Sequence, residues 1–294
     1  MSLVVAGGVE SVSRVPMFSD DGPLWSDPDL VQRIGSVHMG ISADLVATLD
    51  GRSRDALDGY GMETQSKAAA AWAAGRFTRS VVPIPGADGT FVAADELIRP
   101  STTMQSLAAL PPAFADIGAA GDDEIVAAKH PRVGPIQHLH TVGTSPQMAD
   151  GAALLLVGDE RAAERTGLRP RARIVASASE AVDPVIMLTA GQQAVESVIS
   201  RAGLRPADID IFEFAEAFSA VCLRFRESLD AGPERMNPSG GTMAMGHAFG
   251  ATGAILVGQC VDELERTGGR YGVAAVSGAA GLGTAVLLER PGAW

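Results

Sequence analysis

An unbroken apolar run from Leu3 to Ala6 opens the chain and predicts a buried strand. From Ser11 to Asp44 the pattern loses its period and fills with Pro, Gly, Ser and Asp, which predicts an excursion over the surface. Arg54 to Gly75 turns helical. The Ala-rich stretch Lys67 to Ala74 has high intrinsic helix propensity, and Gly75 stands where a left-handed cap closes the helix. Val81 to Ile84 and Phe91 to Ala93 predict short edge strands. Thr102 to Leu110 predicts a capped amphipathic turn or two, ended by Pro111 and Pro112. Residues 115–140 show no clear pattern and hold His130, His138 and His140. A His-x-His pair raises the metal option, but no further ligand spacing accompanies it, so a solvent-exposed loop or edge strand is the expectation.

Beyond Gly151 the alternation sharpens. Ala152–Val157, Ala172–Ser177, Ile209–Phe214, Gly272–Val276 and Thr284–Leu288 read as strands. Asp159–Gly167, Met187–Ala202, Ala217–Leu229 and Gly250–Thr267 read as helices, and strands alternating with helices of this length predict a layered α/β core.

Composition narrows the function classes. With 46% hydrophobic and 20% charged residues, the 294-residue chain can bury one large or two medium cores. The net charge of −12 argues against nucleic acid as a partner, because phosphate backbones are held mainly by Lys and Arg. A phosphate-bearing small molecule needs only a few local cations or backbone N–H groups and stays open. Cys222 and Cys260, the only cysteines, lie in segments of helical spacing and read as buried free thiols. No basic region precedes a long apolar run at the start, and no stretch reaches the ~20 apolar residues of a membrane span, so the expectation is a cytoplasmic protein without a membrane partner.

Three segments carry candidate chemistry. Asn237 to Gly253 gathers glycines around His247 just before a long helix, an arrangement that either brings an imidazole to a helix N-terminus or is a Gly-rich turn with an incidental histidine. A helix N-terminus favours neutral imidazole, which suits a proton acceptor or a carbonyl polariser. Phe214-Ala215-Glu216-Ala217-Phe218 ends a strand, and Ser277 to Gly283 turns between the last two strands, where free backbone N–H groups can stabilise an oxyanion.

Taken in order, these segments resemble the C-terminal signature of the thiolases, the enzymes that make or cleave 3-ketoacyl-CoA. The resemblance extends to Ala6-Gly7-Gly8-Val9-Glu10-Ser11-Val12-Ser13 with Pro16-Met17, to Met39-Gly40-Ile41, to Asp95-Glu96-Leu97-Ile98-Arg99-Pro100 and to Met148 through Leu156. It implies a thiolase-like layered α-β-α-β-α fold: a partial first domain over residues 1–167, with a loop domain inserted from about Ser11 to His140, and a complete C-terminal domain over 168–294. It also implies acyl-CoA or acetyl-CoA as substrate, a place in fatty acid metabolism, and no cofactor or metal apart from coenzyme A as part of the substrate.

The departures from the family are specific. The acylated cysteine of thiolases precedes the opening motif, so the resemblance implies that the part of the first domain carrying it is absent here. The remnant should leave apolar strand edges open, which implies association with a further copy or with a partner chain completing the fold. By resemblance His247 takes the place of the histidine that activates the nucleophile, and Gly246, Phe218 and Ala279 belong to the oxyanion and substrate loops. Ser277 stands where the family has its second, acid/base cysteine, a poor replacement because a thiol ionises near ~8.5 and an alcohol stays protonated. Ala215 replaces the Asn that holds a water on the thioester oxygen, while Glu216 remains. Ala248 replaces a proline, and Met187 to Gln193 loses the family's Gly and Pro pattern. Three readings follow: an acyltransferase by descent, impaired in this chain; a non-catalytic scaffold binding CoA esters or a partner; or aldol-type or hydrolytic chemistry at His247 without an acyl-enzyme.

Overall fold

The computed structural model describes residues 3–86 and 88–292. In chain order the elements are β1 (Leu3–Glu10), α1 (Pro23–Ser26), α2 (Pro28–Ile34), α3 (Met39–Leu49), α4 (Arg54–Ala73), β2 (Ile84–Pro85), β3 (Phe91–Val92), α5 (Met104–Ala108), α6 (Ala115–Ile117), α7 (Asp123–Lys129) and β4 (Gly151–Gly158). Then follow α8 (Glu160–Thr166), β5 (Arg173–Ala181), α9 (Ala190–Arg201), β6 (Ile211–Phe214), α10 (Ser219–Ser228), α11 (Thr242–Met245), α12 (Phe249–Thr267), β7 (Tyr271–Ser277) and β8 (Leu282–Glu289).

Local chemistry sets most boundaries. Ser53 caps α4 by accepting from the Ala56 N–H, and Gly75, with φ 68°, takes the left-handed position beyond its end. Asp159 caps α8 in the same way, and Gly268, with φ 75°, ends α12. Thr103 and Ser106 form a reciprocal capping box on α5.

The main sheet runs β5-β8-β7-β6, antiparallel except for the parallel β6–β7 pair. The period of two along β6 sends Phe212 and Phe214 to one face, where they meet Phe225 of α10 and share a core with Val195 and Val198 of α9. Ile211 points to the other face and joins Cys260 and Leu264 of α12. The free edge of β6 is covered by the loop before α11. The Phe212 N–H donates to Arg235 O, the Asn237 N–H donates to Phe212 O, and the Asn237 side chain bonds both the N–H and the C=O of Phe214.

Three expectations fail, each for a packing reason. The first strand is not buried: β1 pairs only with β4, in a two-stranded ribbon laid on α12, so its outer face exposes Val5 (67%), Val9 (74%) and Leu154 (75%). The stretch from Ser11 to Asp44 is surface only in part, because α3 is buried from Gly40 through Ala47. A helix enclosed on all sides has no polar face and hence no period to read. Residues 115–140 are an exposed loop only in part: 115–129 carry α6 and α7, 131–137 form a largely exposed loop, and His140 is fully buried with its Nδ1 2.7 Å from Asp44 Oδ1 and its Nε2 accepting from the Ala220 N–H. His138 lies 3.1 Å from both Asp44 and Asp123. Burial opposes its charge, yet the two carboxylates prevail and raise its pKa. His138, half-buried, braces α3 to α7, and the buried His140 ties α3 to α10; among the described residues no group of three or more His, Cys, Asp or Glu could hold a metal ion. Nor is any described helix long and apolar enough to cross a membrane.

Glu213, in the middle of β6, is buried and neither carboxyl oxygen has a hydrogen-bond partner. Burial, reinforced by Glu263 and Glu216 against the weaker pull of Lys67, holds its pKa well above 4.5. The folded chain therefore keeps a proton that the unfolded chain releases above about 4.5, so this contribution is complete below that pH and declines as pH rises toward the folded value. Glu213→Gln, an isostere of the neutral acid, should flatten the fall of the urea midpoint with rising pH. An unchanged slope would show that Glu213 is not the group responsible.

Candidate active site

The histidine segment is held from three sides. Gly246, at φ 101°, is required as glycine: a Cβ there would lie 2.6 Å from the Ala149 Cβ and 3.0 Å from Leu97 Cδ1. The His247 N–H donates to Gln147 O and its carbonyl accepts from the Ala149 N–H, so the loop at 147–149 clamps the segment like a short parallel strand. The imidazole Nδ1 is 2.7 Å from Thr252 Oγ1, one turn into α12, and no described group bonds Nε2. Burial pulls the pKa of His247 down to about 4, against an opposing pull from Glu10. The ring is therefore neutral at physiological pH, as suits a group that polarises a carbonyl or accepts a proton.

Beside this clamp opens a cavity of about 720 Å³. Met148, bridged to His247 through the backbone, lines it together with Leu107, Leu110, Phe114, Val142 and Met243. Polar groups also line it: Gln65, Ser106, Ser145, Gln147 and the exposed Arg99, whose Nη2 donates to Gln147 Oε1 at 3.1 Å. The Arg99 N–H donates to Gln65 Oε1. Apolar walls with a few placed polar groups and one cation at the rim suit a long amphipathic ligand bearing a negative charge. Arg99 had been legible only as part of a motif, because nothing in its neighbours marks it as facing a cavity. Phe218 stands behind the wall, buried, with its ring 5.7 Å from Phe114 and 5.5 Å from His140.

None of Glu216, Ala215, Ser277 and Ala279 hydrogen-bonds the imidazole. Glu216 is a buried anchor: it accepts from Tyr60 Oη and Asn237 Nδ2 on one oxygen, and from Thr64 Oγ1 and the Met243 N–H on the other. Ala215 is buried against Leu256 and Ala274, and its N–H donates to Ala275 O. Ser277, at the end of β7, donates to Leu188 O at 2.7 Å and accepts from the Gly191 N–H at 2.9 Å, which ties it to the start of α9. No hydrogen bond joins it to His247. Ala279 lies exposed in the following turn, where Ala280 takes φ 57°. Both thiols are buried, and burial raises the pKa of each well above 9. Neither is a ready nucleophile.

A family model described as "Thiolase, C-terminal domain" matches residues 168–290, and one described as "Thiolase, N-terminal domain" matches residues 1–123. Among curated relatives, a 3-ketoacyl-CoA thiolase of Aliivibrio fischeri is 33% identical over 98% of this chain and 71% of its own length. One from Klebsiella pneumoniae is 33% identical over 97% of this chain and 70% of its own length. Among solved structures, human mitochondrial 3-ketoacyl-CoA thiolase in complex with CoA superposes with a TM-score of 0.81 at 29% identity, covering 98% of this chain and 71% of that one. The layered α/β architecture is thus the thiolase fold.

Two substitutions test the site's anchors. Glu216→Gln would set an NH₂ group against two donors and should cost about 1–3 kcal/mol in urea unfolding. Ser277→Ala would strand the Leu188 carbonyl and the Gly191 N–H, with an expected loss also of about 1–3 kcal/mol; no loss would show that the hydroxyl is not held as described.

Proposed function

We propose that this chain, which belongs to the thiolase family, binds CoA thioesters in the cavity beside His247 and catalyses thiolase-type acyl exchange poorly or not at all. The observation that carries the proposal is the amphipathic cavity with Arg99 at its rim, lined by Gln147 and Met148 of the loop that clamps the neutral His247. In this reading Arg99 pairs with a CoA phosphate, Gln65, Ser145 and Gln147 meet the amides of the pantetheine arm, and the apolar wall takes the thioester end. The solved human thiolase with bound CoA supports the ligand class.

Impaired exchange is inferred from this chain's own groups. Claisen chemistry needs a base for the substrate α-proton and a nucleophile that carries the acyl group. The Ser277 hydroxyl is committed to Leu188 and Gly191, and Ala215 has no side-chain amide to fix a water. Cys222 and Cys260 are sealed in the core. His247 retains the capacity to polarise a carbonyl, which supports binding more than turnover.

Calorimetric titration with acetyl-CoA and acetoacetyl-CoA, with a thiolysis assay on the same sample, tests both halves of the reading. Saturable binding without turnover is expected, and Arg99→Ala should weaken it roughly tenfold through loss of a charge-assisted hydrogen bond. Thiolysis near the ~10 s⁻¹ typical of enzymes would overturn the impaired reading, and absence of binding would overturn the cavity assignment.

A further inference from the structure

We propose that Glu10 is a positioning residue for His247, its carboxylate seated on the first turn of α12, three residues beyond the imidazole. The seat is built by two glycines. A Cβ on Gly8 would lie 1.8 Å from the Gly250 carbonyl oxygen, so only glycine lets the end of β1 press against the beginning of α12. That contact brings Glu10 Oε2 to 3.3 Å from the Gly250 N–H, three residues beyond His247, while Oε1 accepts from the Ser11 N–H. The turn that follows is fixed in its place, because Asp150 accepts from the Ser13 N–H and from the hydroxyls of Ser11 and Ser13.

The electrostatic need for such a charge follows from where His247 sits. The N-terminus of a 19-residue helix carries a partial positive charge, and burial adds to it in disfavouring imidazolium. Glu10 is the group that opposes both. Other charges on the elements around His247 are engaged elsewhere: Asp150 with Ser11 and Ser13, Arg99 with Gln147, and Glu216 with its four donors on α4, at Asn237 and in α11. The first turn of α12 contains no acidic residue. Glu10 thus sets how readily His247 takes up a proton, a property that matters to any chemistry at a thioester carbonyl. The inference rests on the reading of His247 as the polarising and proton-accepting group.

Histidine ring NMR of the full chain tests this without any ligand, so its outcome is separate from that of CoA-ester binding. His247 would be assigned by its loss in His247→Gln. Glu10→Gln keeps an oxygen for the Gly250 N–H and removes only the charge. The His247 titration midpoint should move down by about one unit, with the other four histidines unmoved. Glu10→Asp keeps the charge but draws it back, and should move the midpoint in the same direction by less. An unmoved His247 midpoint in either variant, with the melting curve preserved, would overturn the proposal. If Glu10→Gln does not fold, the Glu10→Asp titration decides alone.

Discussion

The site hangs from one buried carboxylate. Glu216 leaves the end of β6 and gathers four donors, from Tyr60 and Thr64 on α4, from Asn237, and from the backbone of Met243. The bonds join α4, the loop at Asn237 and α11 to the end of the central strand β6, so these parts of the chain share one point of reference. A carboxylate in such a position is stable only while its acceptor capacity is filled, since an unpaired buried charge costs several kcal/mol. That requirement makes the loop before α11 a fixed frame, and the frame carries Gly246 and His247 to the clamp at 147–149.

From this frame the two predicted halves of the site diverge. His247 keeps one ring nitrogen unengaged, burial leaves it neutral, and the loop that clamps its backbone lines a large cavity. Ser277 keeps nothing free, since its donor and acceptor both serve the junction of β7 with α9. Gly191 makes that junction tight, because a Cβ there would lie 2.6 Å from the Ser277 hydroxyl oxygen. The hydroxyl of Ser277 therefore serves as a staple between β7 and α9.

The acidic surface and the cation at the cavity rim are compatible. A net charge of −12 is spread over the whole chain, whereas the cavity wall carries one guanidinium, held by Gln147, among neutral polar groups. The ribbon of β1 and β4 contributes through its end, where Gly8 and Gly250 let Glu10 reach the helix. Its outer face leaves Val5, Val9 and Leu154 open.

The sequence by itself determined the elements after Gly151, the α4 helix with its Ser53 and Gly75 ends, and the family, because periodicity, caps and ordered glycine motifs are local in the chain. It also placed His247 before a long helix. Tertiary structure alone decided that α3 is buried on every side, that His138 and His140 brace Asp44 in the interior, and that the first strand lies open. It alone showed Glu216 as an anchor, Ser277 as a staple and Arg99 as the rim of a cavity. These outcomes depend on which distant group meets each side chain, and partners such as Tyr60 for Glu216 or Leu188 for Ser277 leave no trace in the spacing of nearby residues. Local pattern fixes which way a residue faces within its element, whereas burial and hydrogen-bond partners are fixed only when the elements pack.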